Sequence, residues 1–433
     1  MGIALSGLTA LSLCINNCME LMHKQSYRIG GSVADRHHQN LAILDFDPFA
    51  LEVLADPEPY DVLARESAPV GFLSRYNVWV LARHQHVHAA FADWRTFSSA
   101  SGTGLTHIKR DTPWRKPSVI LEADPPQHDL YRRVMTRVLS GATLAWMRAE
   151  FKAVADALVD RLLERREFDA AKDLAEVFPF HVVPTALGIA PAEREMMLIY
   201  SELNFNSMGP NNSLQQASRE RAAPFIERVT QSCRRESLTA DGLGARLYDE
   251  CASVGLTPDD AALLVRTFFS ASMDTTMYGI GFTIQALCEN PGQWALLSAD
   301  PGLARAAFDE ALRYRSPSPY IGRTTTREVE IEGVVLGADQ KLLLFVGAAN
   351  RDPRKYEQPE RYDIRRRGAG SVAFGTGIHA CVGQVMARLE AELVLDALAR
   401  RAATIELAGT PGYQLNNWLR GLSTLPVSVT RKQ

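Results

Sequence analysis

Residues 374–383 read Phe374-Gly375-Thr376-Gly377-Ile378-His379-Ala380-Cys381-Val382-Gly383. Two glycines two positions apart permit a tight turn with backbone angles that side chains oppose. The stretch that follows, VGQVMARLEAELVLDALARR, places apolar residues at helical spacing. Cys381 therefore stands at a helix start. Unpaired backbone N–H groups and the positive helix end there favour thiolate over thiol. These residues alone leave three readings open: a structural cysteine in a glycine turn, a nucleophile paired with His379, and an axial thiolate ligand to haem. A sulfur anion held by backbone donors suits a soft metal better than it suits a mobile nucleophile.

Outward from this loop, the chain has 433 residues and is 46% hydrophobic, enough for a large buried core. Length alone allows about two to four domains, whereas the motif layout favours one. A net charge of −3 with 22% charged residues is that of an ordinary weakly acidic protein and demands no nucleic-acid or anionic-membrane partner. The six cysteines (Cys14, Cys18, Cys233, Cys251, Cys288 and Cys381) form no C-x-x-C pair and no regular spacing. A disulfide framework is therefore not expected, and no ferredoxin-type cysteine run is present. The segment MGIALSGLTALSLCINN lacks a basic residue ahead of its apolar run and is too short and polar to span a membrane. We read residues 1–40 as an N-terminal appendage, residues 41–433 as a single domain, and the location as cytoplasmic with no stable membrane contact.

The fold class expected is α+β, mainly α-helical. YNVWVLARHQHV reads as a strand turning into a helix. On that helix His84, His86 and His88 do not share a face, so they read as surface histidines rather than metal ligands. The middle of the chain, from about Asp129 to Leu287, is helical in pattern. Thr257-Pro258-Asp259-Asp260 supplies a cap, a first-turn proline and acids facing the helix dipole. The run after it, AALLVRTFFSASMDTTMYGIGFTIQALCEN, contains no proline and is expected as one helix of about thirty residues crossing the interior. Strands follow in EVEIEGVVL and KLLLFVG, then a loop rich in arginine and glycine, then the helix after Cys381.

Two further patterns carry chemistry. Glu310 and Arg313, three apart, share a helix face. Asp274 and Thr275 sit mid-way along the apolar run, where an acid and a hydroxyl are costly unless satisfied or used. Their bland reading is hydroxyls bonding back to carbonyls four residues earlier.

Taken together, Phe374-Gly-x-Gly-x-His-x-Cys381-x-Gly383, Glu310-x-x-Arg313 and Asp274-Thr275 resemble the cytochrome P-450 superfamily over nearly the whole chain from about residue 46. The resemblance implies the P-450 fold with a long central helix and small sheets, and a haem b (iron protoporphyrin IX) with Cys381 as axial ligand. It places Phe374 and Gly383 at the cofactor, with His128, Arg132, Arg323 and His379 at the propionates. It joins Glu310 and Arg313 to a third, downstream arginine, for which Arg361 fits. It makes Asp274 and Thr275 the catalytic pair delivering protons for O–O cleavage, helped by electron density from the thiolate. Where the family has glycine, this chain has Ser272.

The resemblance is nearest to soluble bacterial monooxygenases and O-demethylases of para-substituted benzoates such as 4-methoxybenzoate. It rests on TPWRKPSVILEADPP, LLVRTFFSASMDTT, ANRDP and the cysteine loop. It implies substrate contacts from Arg115, Ser118, Phe205, Met208, Arg266, Thr267, Ser270 and Ala271. Met208 and Gly322 stand where that group has aromatic rings, so a larger site is expected. Electrons are expected from NAD(P)H through a separate reductase and a [2Fe–2S] ferredoxin, with O2 and a small aromatic acid as substrates. A peroxide-driven peroxygenase and a non-catalytic haem- or ligand-binding protein are the alternatives; Asp274 and Thr275 argue against both.

Overall fold

The computed structural model describes residues 40–366 and 370–433, so all but the last position of the expected appendage lies outside the described residues. The helices that position the site are α1 (Gln127–Val138), α2 (Gly141–Arg165), α3 (Arg194–Asn206), α4 (Pro258–Ala271), α5 (Asp274–Glu289), α6 (Ala304–Arg315) and α7 (Gln384–Arg401). Six strands, β1 (Leu41–Ile43), β2 (Val70–Leu73), β3 (Val78–Leu81), β4 (Phe97–Ser98), β5 (Tyr320–Thr325) and β6 (Lys341–Phe345), form one sheet in the order β1-β2-β3-β6-β5-β4. β6 is apolar after its first residue and buried throughout, which places it at the centre of the sheet. It pairs parallel to β3 and antiparallel to β5, setting Arg323 opposite Leu342. The strand-like stretch EVEIEGVVL forms two short antiparallel strands, Val329–Ile331 and Val334–Leu336. The architecture is the α+β one expected from the sequence.

The start of α4 forms as the residues dictate. Thr257 Oγ1 accepts from Asp260 N while the Asp260 carboxylate accepts from Thr257 N, a reciprocal cap. The expected single helix is instead two, α4 and α5, interrupted at Ser272 and Met273. At the break Ser272 Oγ donates to Phe268 O at 2.6 Å, and Thr275 Oγ1 donates to Ala271 O at 3.1 Å. Such bonds to carbonyls one turn back accompany helix bends. Past the bend α5 is buried on nearly every face, packed against α6 and α7.

The Glu310–Arg313 pair is fully formed. Arg313 Nε and Nη2 donate to the two Glu310 oxygens at 2.8 and 2.9 Å, and both side chains are buried. The remaining Arg313 protons reach Asn350 O, Pro359 O and Arg361 O, so one guanidinium fastens the 350–361 segment to α6. The third arginine is Arg366, not Arg361. Arg366 Nε donates to Glu310 Oε1 at 3.0 Å, whereas Arg361 contributes only its carbonyl and its side chain is exposed. Gln358, in the same segment, has φ +46.

The histidines of the first helix are partnered within the protein. His84 is buried against Gly370 O, His86 faces Glu332, and only His88 is exposed. Among the described residues no group of three His, Cys, Asp or Glu side chains is placed to hold a metal ion. No helix among them is long and apolar enough to cross a membrane.

The reassigned arginine gives a direct comparison. Arg366→Ala removes a bond to a buried carboxylate and is expected to cost about 1.5–3 kcal/mol. Arg361→Ala leaves its backbone carbonyl in place and is expected to cost less than about 0.5 kcal/mol. Urea unfolding of the two variants decides it; the reverse ranking would restore Arg361.

Candidate active site

Gly375 and Gly377 have φ +65 and +70, in the region that side chains oppose. A Cβ on Gly377 would also stand 2.7 Å from Phe91 O, so glycine is required there twice over. The turn they allow returns the chain until Cys381 N donates to Phe374 O at 2.8 Å. α7 then begins at Gln384, capped by Gly383. Arg132, from α1, donates a further bond to Ala380 O. Cys381 is thus held by its own backbone and by a neighbouring helix. Burial raises its thiol above the ordinary value, while the Gly383 and Gln384 N–H groups and the Arg132 and Arg388 guanidiniums pull it down.

The sulfur faces an internal cavity of about 290 Å³. Its walls bring together His128, Arg132, Thr267, Ala271, Thr275, Arg323, Phe374, His379, Cys381 and Gly383 from elements far apart in sequence. Much of the remaining wall is apolar, including Phe91, Ile120, Leu121, Phe268 and Met386. Within this lining, polar groups stand without partners. His128 Nε2 and His379 Nε2 are buried and make no hydrogen bond, and the two rings meet edge-on at 4.4 Å. His379 Nε2 lies 3.7 Å from Asp124 Oδ1, beyond hydrogen-bond reach. Arg323 is buried over the Phe91 ring, and burial pulls its guanidinium down to about 10. One buried arginine, one half-buried arginine and two imidazole nitrogens without a hydrogen bond around an apolar slot suit a flat, apolar group bearing acidic tails.

Opposite the sulfur, the bend between α4 and α5 presents Ala271 and Thr275 to the cavity. Asp274 points away into the protein and does not line it. Burial pushes its carboxyl up to about 7; the Ser201 hydroxyl of α3 works against that shift and the Glu176 charge adds to it. An acid poised near neutrality beside a cavity-lining hydroxyl is suited to passing protons. Ser201 was not visible as part of this site in the sequence, because it lies some seventy residues earlier on another helix.

The expected substrate contacts divide. Arg115 and Met208 line a second, outer cavity of about 410 Å³ with Trp114, Glu122, Asn204 and Gln215. Ser118, Phe205, Arg266 and Ser270 line neither cavity. Phe205 is buried in a cluster with Tyr320 and Trp418. Arg266 Nη2 donates to Lys116 O at 2.7 Å, and Ser270 Oγ to Thr267 O at 3.1 Å. The larger site expected at Gly322 does not form. A Cβ there would stand 2.6 Å from Gly104 O and 2.8 Å from Thr103 O. Gly104 is in turn pressed against the Met208 backbone, and Leu105 N donates to Met208 O at 2.8 Å. Loop 103–105 occupies the space a ring would have filled.

Comparison with known proteins agrees with this geometry. Residues 302–402 match the family described as Cytochrome P450. Cytochrome p450 CYP199A2 of Rhodopseudomonas palustris is 47% identical over 396 residues, covering 91% of this chain and 96% of the relative. The chain belongs to the cytochrome P450 family. Beta-dihydromenaquinone-9 omega-hydroxylase of Mycobacterium bovis is 30% identical, covering 90% of this chain and 79% of the relative. The structure of cytochrome P450 CYP109Q5 from Chondromyces apiculatus superposes with a TM-score of 0.74 at 29% identity, covering 90% of this chain and 99% of that one. This cytochrome P450 is therefore a haem monooxygenase that takes electrons from redox partners. The apolar slot, its two arginines and its two unpartnered imidazole nitrogens fit a haem with its propionates.

The raised Asp274 acid has a measurable consequence. Its ordinary value is 3.8 and its folded value about 7. The stability it contributes is complete below pH 3.8 and is lost as pH rises through about 7. Asp274→Asn stays neutral, so its stability advantage over the wild type should widen by about 2 kcal/mol between pH 5.5 and pH 8. Denaturant unfolding at both pH values checks this; a gap that does not change with pH would mean the carboxyl is not held neutral by burial.

Proposed function

We propose that this cytochrome P450 inserts one oxygen atom of O2 into a small carboxylate-bearing aromatic substrate, by hydroxylation or O-demethylation of para-substituted benzoate-like acids. The observation that carries the substrate class is a charge imbalance. Arg115 and Arg266 both approach the Lys116 carbonyl, and Glu122 is the one acid bonded within this cluster. Among the described residues, these two guanidiniums share the one bonded carboxylate, so a partly buried site carries an excess of positive charge. A monocarboxylate balances that excess, and a neutral molecule does not.

Haem, when bound, supplies reductive activation of dioxygen and oxygen insertion into a C–H bond. The residues of this chain have the following roles in the proposal. Cys381 ligates the iron from a loop that cannot shift. His128, Arg132, Arg323 and His379 receive the propionates, with Phe374 and Gly383 against the ring. Thr275 holds a proton at its Oγ1 on the cavity wall, and Asp274, near its midpoint at neutral pH, replenishes it from the interior. Arg115, Ser118 and Arg266 hold the substrate carboxylate, which turns the para end toward the haem. Thr267 and Ala271 border its path. Oxidation of an O-methyl carbon gives a hemiacetal that releases formaldehyde and leaves a phenol.

Electrons reach the site from NAD(P)H through a reductase and a [2Fe–2S] ferredoxin. The peroxide-driven alternative does not require the Asp274–Thr275 pair, because peroxide brings its own protons and electrons. Product formation with peroxide and none with any ferredoxin would favour that alternative.

The substrate class is tested by a spectral titration with 4-methoxybenzoate. A type I shift is expected, with affinity weakened at least about tenfold in Arg115→Ala, since a charge-assisted bond to a buried carboxylate is lost. Absence of a shift with every aromatic acid tried would remove the substrate assignment and leave the monooxygenase assignment intact.

A further inference from the structure

Residues 115–122 fold back on themselves around a single carboxylate. Glu122 Oε2 accepts from Arg115 Nη1 at 3.0 Å and from Ser118 N at 2.7 Å. Its side chain is 8% exposed and that of Arg115 is 14% exposed, so the pair is largely out of water. Arg115 is fixed from the other side by Asn204 of α3, whose Oδ1 accepts from Nε at 2.9 Å. A protein carboxylate therefore already engages Arg115 Nη1 and the Ser118 backbone N–H, on the two residues expected to receive a substrate carboxylate.

The position of this pair gives the occupancy a consequence. Arg115 and Glu122 line the outer cavity. Ile120 and Leu121, in the same short segment, line the haem cavity, as does Thr267 from α4. The 115–122 segment therefore contributes wall to both cavities.

We propose that Glu122 is a specificity-determining residue, an internal carboxylate that an incoming aromatic carboxylate must displace from Arg115. The proposal rests on the aromatic-acid reading above. Exchange of one carboxylate for another keeps a guanidinium paired throughout, so an anion can make it. A neutral ligand offers Arg115 nothing in return for a broken buried ion pair, and breaking such a pair is costly. Once displaced, Glu122 retains the Ser118 N–H as a donor. The resident carboxylate thus weakens the binding of acids, because both carboxylates compete for the same guanidinium, whereas a neutral ligand leaves the pair in place.

The test is a spectral titration of the holoenzyme with 4-methoxybenzoate and with its neutral isostere 4-methoxybenzamide. Glu122→Gln keeps the shape of the side chain and an oxygen for Ser118 N while removing the competing charge. The acid should bind roughly tenfold tighter in this variant, with the amide changed by less than about twofold. Glu122→Asp retains the charge but withdraws it by one methylene, and should tighten acid binding by about threefold; it provides the reading if the glutamine variant does not fold. Unchanged or weaker acid binding, or equal tightening of acid and amide, would overturn the role of Glu122. If the wild type binds no aromatic acid at all, the substrate class itself fails, and that outcome is distinct from the other two.

Discussion

A sulfur atom held at one point inside an apolar cavity is the constraint on which the rest of the structure depends. Nothing about Cys381 moves independently: two glycines in left-handed conformation, the Phe374 carbonyl, the start of α7 and an arginine from α1 all bear on its position. A metal bond formed at such an atom has its direction set before the metal arrives, which is how a protein tunes a cofactor through its ligand. The Arg313 guanidinium extends the same constraint outward. By joining Glu310 to the carbonyls of Asn350, Pro359 and Arg361, it fixes the segment that leads into the cysteine loop. Arg366 completes that knot through Glu310.

On the far side of the cavity the problem is opposite in kind. Proton delivery requires groups that exchange, in a wall that otherwise excludes water. The bend between α4 and α5 answers this with hydroxyls that stay bonded within the helix, while Asp274 stays buried behind it. Ser272 occupies the position where the family has glycine, and its bond to Phe268 O preserves an opened helix by a different route. The acid is costly to ionise in this setting, and that cost places it within reach of both protonation states near neutral pH.

What could be read in the sequence follows the range of the interactions. The cysteine loop, the capped start of α4 and the Glu310–Arg313 pair are local, so spacing alone displays them. The choice between Arg361 and Arg366 is made in an irregular loop, where spacing along the chain sets no geometry. The split of the central helix falls at Ser272 and Met273, inside a run whose apolar periodicity continues across it. The closure of the site at Gly322 depends on a loop more than two hundred residues earlier, so counting the missing rings predicted space that loop 103–105 fills. The Arg115–Glu122 bond lies within a quoted stretch of sequence, yet a guanidinium seven residues from an acid in an irregular loop has no expected geometry. The substrate side is therefore where the sequence was least informative, since its polar groups are arranged by loops rather than by helices or strands.

The central claim is that Cys381 binds haem iron as a thiolate. The most direct measurement is the carbon monoxide difference spectrum of the reduced protein, recorded for the wild type and for Cys381→His. The account predicts the long-wavelength Soret band of a thiolate-ligated haem in the wild type, and its displacement to the histidine-ligated position in the variant. A wild-type band already at the histidine position, or one that is unaltered by the substitution, would contradict it.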